Sequence, residues 1–109
     1  MLTRDEFEKV EMRVGTVVDA KDFPEAKNPA FQVRIDFGGD IGIKKTSAQI
    51  TKLYTKEELI GKQVIAVVNF PPKQIASFMS ECLILGAMNG KEITLLTPNL
   101  PCDNGLRIG

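Results

Sequence analysis

The chain has 109 residues, of which 43% are hydrophobic and 26% are charged. A chain of this length forms one domain with its own core, and this composition excludes an intrinsically disordered protein. Lysine and arginine together number 14, as do aspartate and glutamate, so no global positive field exists to attract phosphate or an acidic membrane. The charge is unevenly distributed, because residues 44–73 contain six lysines and only two acidic residues.

The first predicted element is a short N-terminal helix. Thr3 and Glu6 have the spacing of a capping box, in which both side chains satisfy backbone N–H groups at the start of a helix. We expect the helix to run from Arg4 to Val10. Apolar residues then recur between polar ones from Val10 to Val18, which predicts the first strand, and Gly15 is expected to mark a bend or bulge in it.

A β-hairpin is predicted next. The segment from Phe31 to Phe37 alternates apolar and polar residues with a period of two, as in a strand with one buried face. Gly38-Gly39-Asp40 follows, and its glycines can adopt the positive φ that a tight hairpin requires. The alternation resumes from Ile41 to Thr46, so we expect a third strand there. Residues 47–54 are predicted to form a helical turn.

A second capping box, Thr55 with Glu58, predicts a short helix that ends at Gly61, and its length suits a helix that plugs a barrel. Two further apolar strands are predicted, from Gln63 to Phe70 and from Leu83 to Leu85. Three strands, a short helix and two strands follow the order of the OB-fold, an all-β, five-stranded Greek-key barrel. A β-sandwich would need about seven strands.

The C-terminal segment 87–109 continues beyond the predicted barrel, which occupies residues 10–86. Its leucine and isoleucine residues make it too apolar to remain unpacked; they are Ile93, Leu95, Leu96, Leu100, Leu106 and Ile108. It either closes the base of its own barrel or packs against a second copy of the chain. Because five strands already complete the barrel, we favour the second copy and predict a dimerisation extension. Residues 1–109 are thus interpreted as one OB domain, with the N-terminal helix in residues 1–10.

Three separated segments resemble the tRNA-binding OB domain that is appended to methionyl-tRNA synthetases. They are Val-Glu-Met-Arg-Val-Gly-Thr-Val at 10–17, Lys-Lys-Thr-Ser-Ala-Gln-Ile at 44–50 and Gly-Lys-Gln-Val-Ile-Ala-Val-Val-Asn-Phe-Pro-Pro at 61–72. Within that superfamily the chain is most similar to the CsaA family of export-related chaperones, through Ser-Ala-Gln-Ile, Asn-Phe-Pro-Pro-Lys-Gln-Ile-Ala and Ser-Glu-Cys-Leu-Ile-Leu-Gly. The resemblance implies a homodimeric OB-fold that binds unfolded or exported polypeptides in protein secretion.

The resemblance includes a departure from the tRNA-binding pattern. The tRNA-binding members usually carry Asn-Leu-Lys-Pro after strand four, where this chain has Asn-Phe-Pro-Pro at 69–72. They also carry Gly-x-x-Ser-x-Gly-Met before strand five, of which this chain keeps Ser80 but has Cys82 and Leu83 at the last two positions. The resemblance therefore implies polypeptide binding more strongly than nucleic-acid binding.

Catalytic and metal chemistry are not expected. The chain has no histidine to act as a general base at neutral pH, and it has no glycine-rich phosphate loop. Its two cysteines lack the spacing and the histidine partners of a zinc site; Cys82 is predicted to be a core residue and Cys102 a free thiol. Lys45 and Ser47 are the nearest approach to a catalytic pair. We therefore expect a binding protein that needs neither a metal ion nor a cofactor.

The predicted polypeptide-binding site is the segment 69–80, interpreted as one long loop. It brings large apolar side chains onto a backbone that two prolines stiffen, and stiffness lowers the entropic cost of binding. The candidate residues are Phe70, Pro71, Pro72, Ile75, Phe78 and Met79. In the alternative interpretation Phe70 and Ile75 fill the mouth of the barrel, whereas Phe78 and Met79 are expected to be exposed contacts.

The alternative ligand is tRNA, for which the basic segment 44–73 supplies charge. Its candidate binding residues are Lys44, Lys45, Ser47, Gln49, Lys52 and Lys73, and the aromatic residues available for base stacking are Phe70, Phe78 and Tyr54. Because aromatic residues are only 6% of the chain, polypeptide binding is favoured over tRNA binding. Alternatively, the segment after strand three is a hydrogen-bonded turn with Ser47 as its cap.

The expected location is the cytoplasm. The first residues include acids where a secretory leader has a basic segment, and no stretch approaches the ~18 apolar residues of a membrane span. The expected partners are a second copy of the chain, unfolded or pre-secretory polypeptides and, as the alternative, tRNA. No insertion into a membrane is expected.

Overall fold

The computed structural model describes residues 1–109 and has a five-stranded antiparallel sheet at its centre. The elements in chain order are α1 (Arg4–Glu8), β1 (Met12–Asp22), β2 (Phe31–Asp36), β3 (Ile43–Ala48), α2 (Lys56–Leu59), β4 (Gln63–Val67), β5 (Lys73–Ile75), β6 (Phe78–Ser80), β7 (Leu83–Ile84), β8 (Gly86–Asn89) and β9 (Glu92–Leu95). The central sheet has the strand order β3-β2-β1-β4-β7, while β5–β6 and β8–β9 are separate hairpins. With α2 between β3 and β4, this is the nearly closed barrel of an OB-fold, so the predicted fold is confirmed.

Both predicted capping boxes are present. Thr3 accepts a hydrogen bond from the N–H of Glu6, whose carboxylate accepts one from the N–H of Thr3, and the second box does the same. Helix α1 ends at Glu8, two residues before the predicted end, and buries no side chain. Leu59 of α2 is fully buried in the core, so α2 is the plug that its length predicted. Neither helix is long and apolar enough to span a membrane.

Strand β1 carries a bulge after Val17, not at Gly15. Its register against β2 shifts between Val17 and Asp19. Gly15 pairs regularly with Val64, and a Cβ atom there would lie 2.5 Å from Cγ2 of Ile35. The prediction of a bulge at Gly15 is therefore wrong. The glycine is required because the core packs directly on the strand backbone at that point.

Strands β2 and β3 form the predicted hairpin, but both the connection and β3 differ from the prediction. The connection spans residues 37–42, in which three glycines have positive φ. Strand β3 continues to Ala48, so the predicted helical turn 47–54 is wrong at its first two residues, and the turn itself lies at 51–53. Because strand residues alternate, Thr46 and Ala48 face the core and are buried, whereas Lys45 faces outward.

Residues 69–80 contain a β-hairpin that the sequence pattern did not predict. Strands β5 and β6 pair from Lys73 opposite Ser80 to Ile75 opposite Phe78. Ala76 has a φ of 53° in the two-residue turn, as a tight hairpin demands because of the twist of its strands. The prediction of one long loop is therefore wrong, since the segment is a short loop followed by an ordered hairpin.

The C-terminal segment forms the hairpin β8–β9 and then returns along β1. Gly105 donates its N–H to the carbonyl of Val14 at 2.7 Å, and Val14 donates to the carbonyl of Leu106 at 3.0 Å. The segment occupies the position beside β1 that β2 leaves free, because β2 pairs with β1 only from Thr16 onward. It thus closes its own barrel, the less favoured alternative, while Leu100 keeps 71% of its surface exposed. Packing against a second copy stays a prediction.

Candidate functional site

Hairpin β5–β6 is attached to β3 through a pair of hydroxyl groups, one of which, that of Thr46, is buried. The side-chain oxygens of Thr46 and Ser80 lie 2.9 Å apart. Thr46 donates to the carbonyl of Cys82 at 2.6 Å, so the Ser80 hydroxyl is the donor between the two side chains. Ser80 also accepts the N–H of Ser47 at 3.1 Å. These bonds hold the segment after β4 against the edge of β3 and position the surfaces on either side of it.

Phe78 is the apolar anchor of the same hairpin. It is only 9% exposed, and its ring centroid lies 5.3 Å from that of Phe23, which follows β1. The Lys45 ammonium lies 5.1 Å from the Phe78 centroid, within the range of a cation–π interaction. The expectation that Phe78 is an exposed contact is therefore wrong, because the hairpin directs its ring inward onto the barrel.

The predicted polypeptide-binding residues do not form one surface. Ile75 and Phe78 are cross-strand partners on the inner face of the hairpin, whereas Met79 lies on the outer face and is exposed. Phe70 is 54% exposed, and the two prolines that follow it are exposed as well. The alternative in which Phe70 fills the barrel mouth is wrong. Phe70 and Met79 remain candidates for ligand contact.

A cationic face, consisting of Lys21, Arg34 and Lys45, lies on the outer surface of β1, β2 and β3. Cross-strand pairing brings these residues together, since Arg34 is opposite both Lys45 and Asp19. Asp19 lies 3.8 Å from the Lys21 ammonium, whereas neither Arg34 nor Lys45 forms an ion pair within the chain. The side chains surround a depression of about 20 Å³ whose wall includes Phe78. OB-folds bind oligonucleotides on this face of strands two and three, so the cationic face has the charge and position of a phosphate-binding surface.

The cationic face contains only one of the predicted RNA-binding lysines, Lys45. Lys44 alternates to the other side of β3, so the predicted adjacent pair of lysines is divided between two faces of the strand. Sequence reasoning missed Lys21 and Arg34 because both lie outside the basic segment. The signal that was present is the outward position of Arg34 in the alternating pattern of β2.

A groove of about 550 Å³ opens beside the far end of β3. One wall is the end of β3 and the turn after it, and the other is the segment from β7 to β9. The apolar residues of the second wall are Leu83, Ile84, Leu85, Met88 and Ile93. Lys52 and Lys91 are the only charged residues that line the groove. Its volume and its apolar wall with a few polar groups are those of a ligand site.

The groove brings together predicted residues of two different assignments. Ser47, Gln49 and Lys52 were predicted to bind RNA, whereas Met88 and Ile93 belong to the predicted dimerisation extension. They meet because hairpin β8–β9 folds back beside the end of β3. The alternative in which Ser47 caps a turn is wrong, since Ser47 lies within β3, which continues to Ala48.

Tyr54 supports the groove and is not an exposed stacking surface. Its ring packs against the hydrophobic core, and its hydroxyl accepts the N–H of Leu95 at 3.0 Å. This bond holds β9 to the segment before α2. The prediction that Tyr54 is available to stack on bases is therefore wrong. Lys73, the remaining predicted RNA-binding residue, lies exposed on β5, outside both the cationic face and the groove.

Cys82 has the burial of a core residue, as predicted. Burial raises the pKa of its thiol to about 12, so the thiol stays protonated at neutral pH and is a poor nucleophile. Cys102 is half-buried, and Gln63 holds its backbone through bonds to both its N–H and its carbonyl. Both cysteines are free thiols.

Comparison with known proteins assigns the chain to a family. The model of a putative tRNA-binding domain matches residues 12–107. The chain belongs to this tRNA-binding domain family. It is 36% identical over 103 residues to the methionine–tRNA ligase of Nanoarchaeum equitans, an alignment that covers 94% of this chain and 13% of the ligase. The tRNA-binding domain thus spans a small part of the length of the curated relatives that it matches. The resemblance carried by the three sequence segments is confirmed.

Two solved structures of CsaA chaperones superpose on this tRNA-binding domain. The chaperone of Bacillus anthracis has a TM-score of 0.94 and 47% identity, covering 100% of this chain and 99% of its own. The chaperone of Picrophilus torridus has a TM-score of 0.95 and 51% identity, covering 100% of both chains. The resemblance to CsaA chaperones is therefore confirmed over the whole fold. Both relationships are with binding domains rather than with catalytic ones.

Proposed function

We propose that this protein is a non-enzymatic, homodimeric chaperone that binds unfolded or exported polypeptides in the cytoplasm and works in protein secretion. The groove carries the proposal, because it combines a large apolar wall with polar groups on the facing strand. The likeness to CsaA chaperones supports a polypeptide as the ligand. The buried, protonated thiol of Cys82 supports a role without covalent catalysis.

The groove has the chemistry of a site that accepts varied polypeptides. Met88 is 82% exposed and Leu83 is exposed as well, so both side chains have apolar surface that a bound residue can remove from water. Full burial of one large apolar side chain is worth about 1.5–3 kcal/mol. Methionine also adapts its shape to different partners. Two or three such contacts give the weak affinity that suits a protein that must release its clients.

Hairpin β5–β6 supplies a second set of proposed polypeptide contacts. Met79 is exposed on the hairpin itself, and Phe70, Pro71 and Pro72 are exposed on the short loop that leads into this hairpin. Its attachment to β3 keeps these side chains on an ordered backbone, which lowers the entropy lost on binding. We assign the inner residues of the hairpin to holding it on the barrel rather than to the client.

Dimerisation is proposed through the apolar surface of the C-terminal segment. Leu100 and Leu106 are exposed, although hydrogen bonds fix the backbone of this segment to β1. Exposed aliphatic side chains on an ordered backbone suit an interaction surface. A dimer would present two copies of the groove, and two linked sites bind one long client more tightly through effective concentration.

Suppression of the aggregation of a chemically unfolded protein tests this proposal. The double variant Leu83→Glu with Met88→Glu places two charges in the groove at exposed positions, and we expect it to lose suppression at concentrations where the natural protein is fully effective. The matched control is Ile43→Glu with Ile60→Glu, two exposed positions outside the groove, which should retain suppression. Full suppression by the groove variant would refute the proposal.

A second candidate function is tRNA binding on the cationic face. The family model supports it, and so does the absence of an ion pair at Arg34 and Lys45, which leaves both cations available to phosphate. Phosphate contacts by lysine and arginine release counterions, so affinity falls as salt rises, by about one logarithmic unit per unit of log salt for each contact. Two contacts from each half of a dimer give a moderate, salt-sensitive affinity.

A gel-shift titration at two salt concentrations tests tRNA binding. The variant Arg34→Glu with Lys45→Glu should abolish the gel shift. If a shift remains, the slope of log affinity against log salt should be smaller by about two per protomer, because two phosphate contacts are lost. Lys9→Glu with Lys62→Glu makes the same charge change at exposed lysines outside the cationic face and should bind nearly as well as the natural protein. A shift that the cationic-face variant leaves unchanged would exclude this function.

A further inference from the structure

The edge of β3 loses its hydrogen-bond partners inside the groove. The outward backbone groups of Lys45 and the N–H of Ser47 on this edge are covered. Lys45 donates its N–H to the Glu81 carboxylate at 3.0 Å and accepts the Glu81 N–H at 2.8 Å, and Ser47 donates to Ser80. Gln49, two residues further along the same edge, has neither its N–H nor its carbonyl bonded within the chain. The groove therefore contains a strand edge with an unused donor and acceptor.

The opposite wall of the groove is a second open edge. Strands β3 and β7 are the two end strands of the central sheet, and β7 has only β4 as a paired neighbour. Leu85 donates its N–H to Ile65 of β4, so by alternation Ile84 directs its backbone N–H and carbonyl away from β4. Ile84 lines the groove. The two end strands of the sheet thus leave backbone groups without a strand partner at Gln49 and at Ile84, and both residues line the groove.

We propose that the groove receives an extended polypeptide segment as an added β-strand between the edges at Gln49 and Ile84. The inference rests on the proposed chaperone function and states how that function recognises its client. Backbone N–H and C=O groups are the same in every sequence, so hydrogen bonds to these two residues hold a client without regard to its side chains. Alternate side chains of the added strand then lie against the apolar wall.

The charges at the groove determine which polypeptide segment fits best. Lys52 and Lys91 are its only charged lining residues, and neither forms an ion pair within the chain. They complement a carboxylate, supplied by an acidic side chain or by the C-terminus of the client. The preferred occupant is therefore an extended segment with apolar residues at alternate positions and a carboxylate at one end.

Anisotropy of a labelled peptide, mixed with the full chain, tests the added strand from the ligand side. The probe is a short peptide of alternating leucine and serine with a free C-terminal carboxylate. N-methylation of alternate backbone amides removes donors and blocks strand pairing, and we expect binding to weaken about tenfold, the effect of losing two hydrogen bonds. The control peptide carries the same N-methyl groups in an added N-terminal extension. Equal affinity of all three peptides would overturn the proposal.

The variant Gln49→Pro tests the added strand from the protein side. Proline removes the Gln49 N–H, which has no partner within the chain, so the substitution breaks no hydrogen bond of the free protein. We expect Gln49→Pro to bind the peptide about threefold more weakly than Gln49→Ala, because both variants lose the glutamine side chain and only the proline variant also loses the N–H. The peptide experiment uses the natural protein and decides the question if Gln49→Pro unfolds. Unchanged binding by a folded Gln49→Pro variant contradicts the proposal.

Two peptide changes identify the source of the carboxylate. If amidation of the C-terminus weakens binding, the carboxylate is the one at the chain end. A second peptide is amidated and contains an aspartate. If exchange of this aspartate for asparagine weakens binding, the carboxylate is the one on the side chain. Either effect should disappear in the variant Lys52→Gln with Lys91→Gln. Indifference to both changes overturns the role of the two lysines.

The failure of the added strand is distinguishable from the failure of the chaperone function. If clients are protected and peptides bind regardless of N-methylation, strand addition is wrong and the chaperone function stands. If neither clients nor peptides bind, the chaperone function fails. Peptide release by tRNA, or by self-association at rising protein concentration, would identify RNA or a second copy as the occupant and would also overturn the proposal.

Discussion

The hydroxyl groups of Thr46 and Ser80 lie 2.9 Å apart and connect β3 to the hairpin that follows β4. On one side of this connection Lys45 contributes to the cationic face, and on the other side Ser47 lines the groove. A single edge strand therefore serves both candidate surfaces, and the hydroxyl pair fixes its position between them.

Replacing Thr46 with valine should lower the free energy of unfolding by about 1–3 kcal/mol. The substitution keeps the shape of the buried side chain but leaves the Cys82 carbonyl and the Ser80 hydroxyl without their partner, and unsatisfied buried polar groups are costly. Urea unfolding provides the measurement. Thr97→Val, at an exposed position, should change stability by less than about 0.5 kcal/mol. Equal stability of both variants would show that the hydroxyl pair is not a structural link.

Phe78 and Met79 are adjacent but should respond very differently to truncation. Phe78→Ala removes a buried ring that packs on Phe23, and losses of about 3–5 kcal/mol are usual for such changes. Met79→Ala alters the exposed face of the hairpin and should change stability by less than about 0.5 kcal/mol. Denaturant unfolding of the two variants measures the contrast. Similar losses for both would contradict the inward orientation of Phe78.

The thiol of Cys82 should make the protein less stable at alkaline pH. Its folded-state pKa is raised from 9.0 to about 12 by burial, so the folded protein retains a proton that the unfolded chain releases. This contribution is fully present below pH 9 and is lost as the pH rises toward 12, by at most about 1.4 kcal/mol per pH unit. Urea unfolding of the natural protein and of Cys82→Ala, in reductant at about pH 8 and about pH 10, measures it. If the difference in stability between the natural protein and Cys82→Ala does not become smaller as the pH rises, the raised pKa of Cys82 is wrong.

The proposed dimer should depend on the exposed leucines of the C-terminal segment. Leu100→Lys with Leu106→Lys should produce a folded monomer by sedimentation equilibrium, because the substitutions change exposed side chains and leave the backbone bonds to β1 intact. Leu53→Lys with Ile60→Lys changes exposed residues elsewhere and should remain dimeric. Deleting the segment is a poorer test, since it also removes the partners of Val14. A monomeric natural protein would rule out the dimer.

The candidate site was predicted from the sequence only in part. Ser47, Gln49 and Lys52 were selected by their place after strand three, and they do lie together in the groove. Their polypeptide-binding counterparts were sought in the segment 69–80, yet the apolar wall comes from β7, Leu85 and the C-terminal hairpin β8–β9. Met88 shows why: nothing in its neighbours along the chain indicates that it returns to the end of β3.

The sequence alone determined the barrel and its capped helices, because alternation of apolar residues and capping boxes act between residues a few positions apart. Thr3 with Glu6, and the alternation of β2, needed no information from distant parts of the chain. Only the tertiary structure decided which residues share a surface. Cross-strand register brings Lys21 and Arg34 to Lys45, and the unpaired ends of β3 and β7 leave the groove open. Both features depend on contacts between residues far apart in sequence. The local sequence pattern around a residue does not identify such distant partners.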